Sequence, residues 1–135
     1  MQTHSYFLDA NILISGMLWD GNERKLLQMG EKKKIKLLTS VYVLKEVEAV
    51  LEEFDFDDEK IAESLVYLNS FIQLVDVSKV EVEKYWDALD DKADVPVLAA
   101  AVKSSSILVT GDKRLAERGK THVTVKSTKE VLTTR

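Results

Sequence analysis

Four acidic residues of this chain stand where an α/β fold would bring them together. Asp9 ends a short apolar run, Tyr6-Phe7-Leu8, and Asp112 lies just beyond a second one, both typical of buried strands. Asp94 precedes an apolar helical segment, and Glu46 lies within another helical segment. Ligands bind beyond the carboxyl ends of parallel strands, so neighbouring first and fourth strands would bring Asp9 and Asp112 together.

Such a cluster favours a particular chemistry. Three or four carboxylates in a partly dry crevice repel one another and take up protons unless cations join them. Ligand sets made of oxygen atoms alone suit Mg²⁺ or Mn²⁺. These ions polarise a phosphorus–oxygen bond, lower the pKa of a bound water and neutralise the leaving oxyanion. The pattern therefore favours phosphodiester hydrolysis.

Helix capping is the simpler alternative for two of these acids. Asp9 precedes a predicted helix, and its side chain could serve only as the N-cap. Asp94 lies at or beside a cap, because Pro96 suits the first turn of the next helix. Capping does not prevent metal binding by the same carboxylate, so both roles stay open.

Glu46 is singled out by its neighbours. The residues three and four positions away are all apolar: Tyr42, Val43, Ala49 and Val50. We therefore expect Glu46 on the inward face of its helix, where an unpaired carboxylate is costly and needs a cation or a hydrogen-bond network. Glu48 has Lys45 and Glu52 among its neighbours and is expected at the surface.

Strands and helices alternate along the chain, which predicts one α/β domain over residues 1–135 with a mainly parallel sheet. The predicted strands cover residues 6–8, 35–39, 71–77, 107–110 and 122–126. The predicted helices cover residues 11–17, 22–29, 40–54, 59–70, 78–89 and 95–102, with a short one opening at Lys113 and Arg114 and a last one at Ser127. Helix stops and capping boxes are predicted at Gly30, Ser78–Glu81 and Ser127–Glu130.

Composition bounds the function. The 135 residues are 45% hydrophobic and 31% charged, as in soluble globular proteins, and no apolar run approaches the about 20 residues of a membrane span. No signal peptide precedes the first strand, so we expect the cytoplasm; the absence of cysteine excludes disulfides and a cysteine zinc site but leaves the redox compartment open. The net charge of −4 divides into +3 over residues 1–45, −12 over 46–94 and +5 over 103–135. This argues against a passive nucleic-acid binder but allows an enzyme with an acidic site and a basic rim.

The remaining polar residues give weaker signals. His4 and His122 stand far apart in the sequence, and we expect structural roles for both. The basic run at residues 32–36 predicts a solvated turn, with a phosphate-contacting rim as the alternative. Lys113 and Arg114, directly after Asp112, are the basic residues that we expect to contact substrate.

Four segments in this order resemble the PIN-domain ribonucleases over essentially the whole chain. They are Phe7-Leu-Asp-Ala-Asn-Ile-Leu-Ile-Ser15, Thr39-Ser40 followed by Glu46, Asp94-Val-Pro-Val-Leu-Ala-Ala-Ala101 and Ile107-Leu-Val-Thr-Gly-Asp112. The resemblance implies a three-layer α/β/α fold with a five-stranded parallel sheet in the order 3-2-1-4-5. It also implies a nuclease that cleaves single-stranded RNA with Mg²⁺ or Mn²⁺.

The resemblance assigns roles residue by residue. Asp9, Glu46 and Asp94 would bind metal, with Asp112 as the fourth acid, while Asn11, Ser40 and Thr110 would orient them. Asp90 or Asp91 could replace Asp94, because both lie close by. Many relatives of this size resemble toxins that pair with an antitoxin and form homodimers. Ala10 departs from the threonine or serine often found there.

Two other functions fit parts of the sequence. A haloacid-dehalogenase-type phosphatase also begins with an acid after its first strand, but it needs a second acid two residues later, where this chain has Asn11. A non-catalytic α/β interaction module that has kept acidic caps is the other alternative. Metal-induced stabilisation would argue against that module.

Overall fold

The computed structural model describes residues 4–133 of the chain. Its strands are β1 (Ser5–Leu8), β2 (Lys36–Thr39), β3 (Ile72–Leu74), β4 (Ile107–Val109) and β5 (Val125–Lys126). Its helices are α1 (Ala10–Leu18), α2 (Asn22–Glu31), α3 (Val41–Glu53), α4 (Asp58–Asn69), α5 (Lys79–Lys84), α6 (Val95–Lys103), α7 (Lys113–Gly119) and α8 (Thr128–Thr133). Two 3₁₀ turns, Trp86–Ala88 and Lys92–Asp94, connect α5 to α6. Within this range, no helix has both the length and the apolar character needed to cross a membrane.

The five strands form one parallel sheet in the order β3-β2-β1-β4-β5, as predicted. The central strand β1 carries Tyr6, Phe7 and Leu8, whose side chains point alternately to opposite faces and are all buried. Both faces of the sheet are therefore covered, as a parallel sheet requires. Helix α6 is buried along most of its length, as its nearly all-apolar sequence predicts.

Predicted polar caps set several helix starts. The Ser40 hydroxyl accepts a hydrogen bond from the Val43 amide at the start of α3 (3.2 Å). Ser78 and Glu81 form a complete capping box on α5, and Ser127 and Glu130 make the same reciprocal bonds at α8. These caps begin the helices where the sequence predicts them.

Several predicted boundaries are wrong. Gly30 does not stop α2, which continues to Glu31, two residues beyond its predicted end, and the chain turns at Lys33 with φ of 60°. The glycine instead permits close packing, since a Cβ there would lie 2.3 Å from Leu37 Cδ1. The prediction also made β3 and β5 too long, because only residues 72–74 pair with β2 and only Val125 and Lys126 pair with β4.

Helix α5 also ends earlier than predicted, at Lys84. It buries no residue fully, so no apolar stripe stabilises further turns. The Lys92 ammonium group instead donates to the carbonyls of Trp86 (2.7 Å) and Leu89 (2.9 Å), which satisfies backbone oxygens beyond the helix. The chain can therefore leave the helix and turn towards Asp94.

The contact between α1 and α2 depends on Gly16. A Cβ at Gly16 would lie 2.5 Å from Leu27 Cδ1 and 3.0 Å from the Glu23 carbonyl oxygen, so Gly16→Ala overpacks a buried contact. We expect a loss of roughly 1–2 kcal/mol in the free energy of unfolding, because overpacking outweighs the gain in helix propensity. Urea unfolding measures it. Gly21→Ala, with nothing within 4 Å of the new Cβ, is the control and should cost only about 0.5 kcal/mol, as a poorer N-cap. Equal losses would contradict this account.

Candidate active site

The register of β1 against β4 brings the first acid to its partner. Leu8 pairs with Val109, so Asp9 and Thr110 follow side by side where the two strands end. The Thr110 hydroxyl donates to Asp9 Oδ2, and Asp9 Oδ1 accepts from the Ile12 amide (3.0 Å). Asp9 is buried, with 8% of its surface exposed. It caps α1 and still places a carboxylate at the edge of the sheet, so the capping alternative and a functional role coexist.

Thr110 also connects Asp9 to Asp112. Its hydroxyl oxygen accepts a hydrogen bond from the Asp112 amide (3.1 Å). Asp112 is exposed and caps α7 through Oδ1, which accepts from the amides of Arg114 (2.9 Å) and Leu115 (3.1 Å). Within residues 4–133, the hydrogen bonds accepted by the Asp112 carboxylate go to Oδ1 and leave Oδ2 without a partner.

Asp94 lies at the junction between the second 3₁₀ turn and α6 and is half-buried. Asp94 is the N-cap residue of α6, which confirms its predicted position at the cap, but its side chain makes no capping hydrogen bond. Asp91 caps the preceding turn instead, accepting from the Ala93 amide (3.0 Å). The Asp94 carboxylate is thus left to face the other acids.

The inward position predicted for Glu46 is wrong. The buried stripe of α3 consists of Val43, Leu44, Val47 and Leu51. Glu46 lies beside this stripe and is exposed, whereas Glu48, predicted at the surface, is half-buried. The apolar neighbours of Glu46 misled the prediction, because Tyr42 and Ala49 are themselves exposed. Glu46 therefore lies near Asp9 and Asp91 instead of in the core.

Mutual repulsion shows that these acids share one environment. Burial raises the pKa of Asp94 from 3.8 to about 6, and repulsion from Asp91, Asp112, Glu46 and Asp9 adds to it. The pKa of Glu46 is raised by reduced hydration of its carboxyl group, then by Asp9 and Asp91. Burial also raises the pKa of Asp9, and its hydrogen bonds from Thr110 and Ile12 oppose the rise. No lysine or arginine of the described chain forms an ion pair with Asp9, Glu46, Asp94 or Asp112.

The structure separates the two alternatives to Asp94. Asp90 pairs with Arg118 (3.2 Å) and Arg114 (3.8 Å) and so has cationic partners. Asp91 has none in the described chain, and among nearby charges it has the largest effect on Asp94. Asp91 therefore joins the cluster beside Asp94, and the sequence signal for it was its spacing three residues before Asp94.

Tyr42 is a site residue that the sequence did not reveal as one. Its hydroxyl donates to the Ala93 carbonyl (2.6 Å), which ties the turn carrying Asp91 and Asp94 to helix α3. Burial raises the pKa of Tyr42, and Glu46, Asp94 and Asp91 raise it further, in that order. Tyr42 therefore lies against the acids and connects two of the elements that carry them.

The other predicted site residues take varied positions. Ser40 caps α3, the helix that carries Glu46. Asn11 is exposed and borders a surface cleft with Gly111 and Asp112, and its backbone amide approaches the Asp9 carboxylate. Lys113 is exposed outside the cleft of about 100 Å³ that Arg114 borders together with Asp91, Asp94 and Asp112.

The histidines and the lysine run lie near the amino-terminal ends of the strands, opposite the end that carries the acids. His4 and His122 border one groove beside Ile107, where β4 begins, although they are distant in sequence. The His122 ring packs edge-on against Tyr85, with 5.6 Å between centroids. Lys32, Lys33 and Lys34 are exposed in the turn before β2, which confirms the predicted solvated turn and places them away from the acids.

The donors fit a hard divalent cation in their chemistry. The carboxylates of Asp9, Glu46 and Asp112 all lie within electrostatic range of Asp94, and no histidine or cysteine is among these acids. Among the residues described, no three histidine, cysteine, aspartate or glutamate side chains meet the geometry of a metal site. Mg²⁺ commonly keeps several waters and binds one or two carboxylates together with substrate phosphates. An open carboxylate cleft therefore suits such an ion better than a closed protein cage would.

The raised pKa of Asp94 predicts how metal-free stability depends on pH. The folded protein holds this proton up to about pH 6, whereas an unfolded chain releases it near 3.8, so stability falls as pH rises between these values. In EDTA at pH 7.5 we expect Asp94→Asn to stabilise the protein by about 1 kcal/mol, less than the full rise in pKa would imply, because Asp94 is partly open to solvent. At pH 4 the gain should vanish. Urea unfolding at both pH values measures it, with Asp20→Asn as the control for net charge; equal gains at pH 4 and 7.5 would contradict it.

Comparison with known proteins agrees with this architecture. No curated protein matches the sequence. The fold is similar to VapBC2 from Rickettsia felis bound to a DNA fragment from their promoter, with a TM-score of 0.70 and 17% identity over 91% of this chain and 98% of that chain. It is also similar to VapBC-1 from nontypeable Haemophilus influenzae, with a TM-score of 0.67 and 15% identity over 93% of this chain and 98% of that chain. A further similar structure is FitAcB from Neisseria gonorrhoeae, with a TM-score of 0.62 and 17% identity over 91% of this chain and 97% of that chain. These likenesses show the fold.

The sequence itself matches the PIN domain family over residues 5–114. The matched range runs from β1 to the start of α7 and so contains all four predicted acids. The chain belongs to the PIN-domain family.

Proposed function

We propose that this chain is a metal-dependent endoribonuclease that hydrolyses phosphodiester bonds of single-stranded RNA. The observation that carries the proposal is the grouping of Asp9, Glu46 and Asp112 within electrostatic range of Asp94, without a basic partner for any of the four in the described chain. Such a cluster destabilises the fold unless a cation matches its charge, so its presence needs a functional reason. Membership of the PIN-domain family supports a nuclease and removes the haloacid-dehalogenase-type phosphatase as an alternative.

The four acids would hold Mg²⁺ or Mn²⁺, each in a different way. Once bound, the ion would supply charge neutralisation at the phosphate and activation of water. Asp9 is fixed by the Thr110 hydroxyl and the Ile12 amide and so offers a rigid carboxylate. Glu46 and Asp112 are exposed, so their carboxylates can adjust to a substrate. Asp94 holds a proton most readily and would release it when a cation enters.

We further propose that the protein pairs with an antitoxin and forms a homodimer in the cytoplasm. The support is the resemblance to PIN-domain toxins together with the similar fold of VapBC2, whose structure includes a fragment of their promoter. Light scattering of the purified chain tests the dimer. Co-expression with the product of an adjacent gene, followed by a cleavage assay, tests inhibition by an antitoxin.

Asp9→Asn tests the catalytic assignment. The amide keeps the size of the side chain but loses the charge that helps hold a cation, so RNA cleavage should fall by about 100-fold or more, beyond the 10–100-fold typical of outer-shell changes at metal sites. The measurement is cleavage of a labelled single-stranded RNA with Mn²⁺, Mg²⁺ or EDTA, with circular dichroism to confirm folding. Duplex RNA and single-stranded DNA of the same sequence test the substrate class. Full activity in folded Asp9→Asn protein would overturn the assignment, and an inactive wild type with every substrate would favour the interaction module.

Glu46→Gln tests metal binding separately from activity. We expect loss of about tenfold or more in cleavage and a smaller rise in melting temperature when Mn²⁺ is added, because binding to the folded state is weaker. Without metal the variant should be no less stable than wild type, since one repelling charge has gone. Glu53→Gln, exposed two turns further along the same helix, is the matched control and should change neither property. A Glu46→Gln protein with unchanged Mn²⁺ response and unchanged cleavage would remove Glu46 from the site.

A further inference from the structure

Two arginines border the carboxylate cleft, and both are bound to an acid outside the cluster. Arg114 and Arg118 line the cleft of about 100 Å³ together with Asp91, Asp94 and Asp112. They are four residues apart on α7, so they share one face of the helix. Both contact Asp90 Oδ2, at 3.8 Å from Arg114 Nη2 and 3.2 Å from Arg118 Nη2. Among the residues described as lining this cleft, Arg114 and Arg118 are the two with positive charge, and the other charged residues are acids.

The ion pairs are of a kind that breaks easily. The side chains of Arg114 and Arg118 are 87% and 58% exposed, and that of Asp90 is 53% exposed. Exposed ion pairs contribute little to stability, because water and salt screen them. A single carboxylate also leaves most donors of two guanidinium groups unused, whereas each group can bind a phosphate through two parallel hydrogen bonds.

A polyanion that approaches this cleft meets strong repulsion. Glu46, Asp91, Asp94 and Asp112 are within electrostatic range of one another, and a bound cation would offset only part of their charge. A strand of RNA with one phosphate in the cleft has its neighbouring phosphates beside it. The arginine face of α7 begins directly after Asp112 and so lies where such a phosphate would need a cationic partner.

We propose that Arg114 and Arg118 form a binding site for a backbone phosphate next to the one that is cleaved, and that Asp90 occupies this site until RNA displaces it. The identity of the polyanion rests on the proposed function; the competition between Asp90 and a phosphate rests on the geometry alone. The site replaces the pair Lys113 and Arg114 expected from the sequence, because Arg118 shares the face of Arg114 and Lys113 lies outside the cleft. Asp90 is then a competitor of the substrate.

Opposite charge changes at the two ends of the ion pair provide the test. Binding of a fluorescent single-stranded oligoribonucleotide is measured by anisotropy in EDTA at several salt concentrations, with gels to confirm that the probe stays intact. Arg118→Gln should weaken binding roughly tenfold, the value of one charge-assisted hydrogen bond, and lower the slope of log K against log salt by about 0.7. Asp90→Asn should tighten binding, because it frees both arginines.

A second ion pair on the same helix supplies matched controls. Lys120 and Glu117 lie 2.9 Å apart, are exposed, and do not border the cleft. Lys120→Gln and Glu117→Gln reproduce the changes in net charge of Arg118→Gln and Asp90→Asn, so their effects on binding should be clearly smaller. Changes of equal size in the two sets would overturn the proposal in favour of a general charge effect.

The sign of the Asp90 effect excludes a purely structural role. If Asp90 only ties its turn to α7, Asp90→Asn and Arg118→Gln should both weaken binding and both lower the melting temperature, and that result would overturn the proposal. Failure of wild type to bind the probe would overturn it too. Cleavage by wild type with Mn²⁺ is assayed separately. If Arg118→Gln weakens binding and Asp90→Asn tightens it but wild type does not cleave RNA, the nuclease proposal alone is refuted. If wild type cleaves RNA but both variants weaken binding, the phosphate site alone is refuted.

Discussion

The hydrogen bond from Thr110 to Asp9 joins the ends of the two central strands, and the candidate site is built outward from it. Burying a carboxylate is costly unless donors compensate for its lost hydration. Here the Thr110 hydroxyl and the Ile12 amide supply those donors, one to each oxygen of Asp9. The same hydroxyl accepts from the Asp112 amide, which places the residue that caps α7. The register of β1 against β4 thus determines the relation between the buried acid, the exposed acid and the helix that carries Arg114 and Arg118.

The remaining acids show how the fold tolerates a cluster of like charges. Glu46, Asp91 and Asp112 are exposed, so water screens their repulsion, and only Asp94 is held half-buried among them. The bond from Tyr42 to the Ala93 carbonyl keeps the turn that carries Asp91 and Asp94 against α3, where repulsion from Glu46 would otherwise push it away. The stability lost at this cleft is offset by the apolar core, which includes the fully buried side chains of Phe7, Leu98 and Leu108.

Sequence patterns predicted the features of this fold that follow from burial. Apolar runs that end on Asp9 and Thr110 identify central strands, because a strand covered on both faces needs apolar side chains at successive positions. The direction of Glu46 could not be obtained in this way. Helical spacing shows which residues share a face, but it does not show whether that face meets the core or a cleft, and Tyr42 and Ala49 are apolar yet exposed.

The assignment of Asp90 and Asp91 likewise required tertiary structure. Both are exposed aspartates next to each other, and no local rule distinguishes them. They differ because Asp90 forms ion pairs with Arg114 and Arg118 of α7, a helix that is distant in sequence, whereas Asp91 lies near Asp94. The grouping of His4 with His122 escaped the sequence for the same reason, since β1 and β5 both lie next to β4.

The uneven charge of the chain gains a physical meaning from this arrangement. The strongly acidic middle of the sequence supplies Glu46, Asp91 and Asp94, and the basic final part supplies the two arginines of α7. Because β4 lies beside β1, the chain returns to the centre of the sheet before α7 begins, so the basic part meets the acidic part at one cleft. A net charge of −4 therefore does not describe the surface that a ligand meets there. A cleft that carries both acids and arginines is suited to a ligand that carries negative charge and is accompanied by a cation.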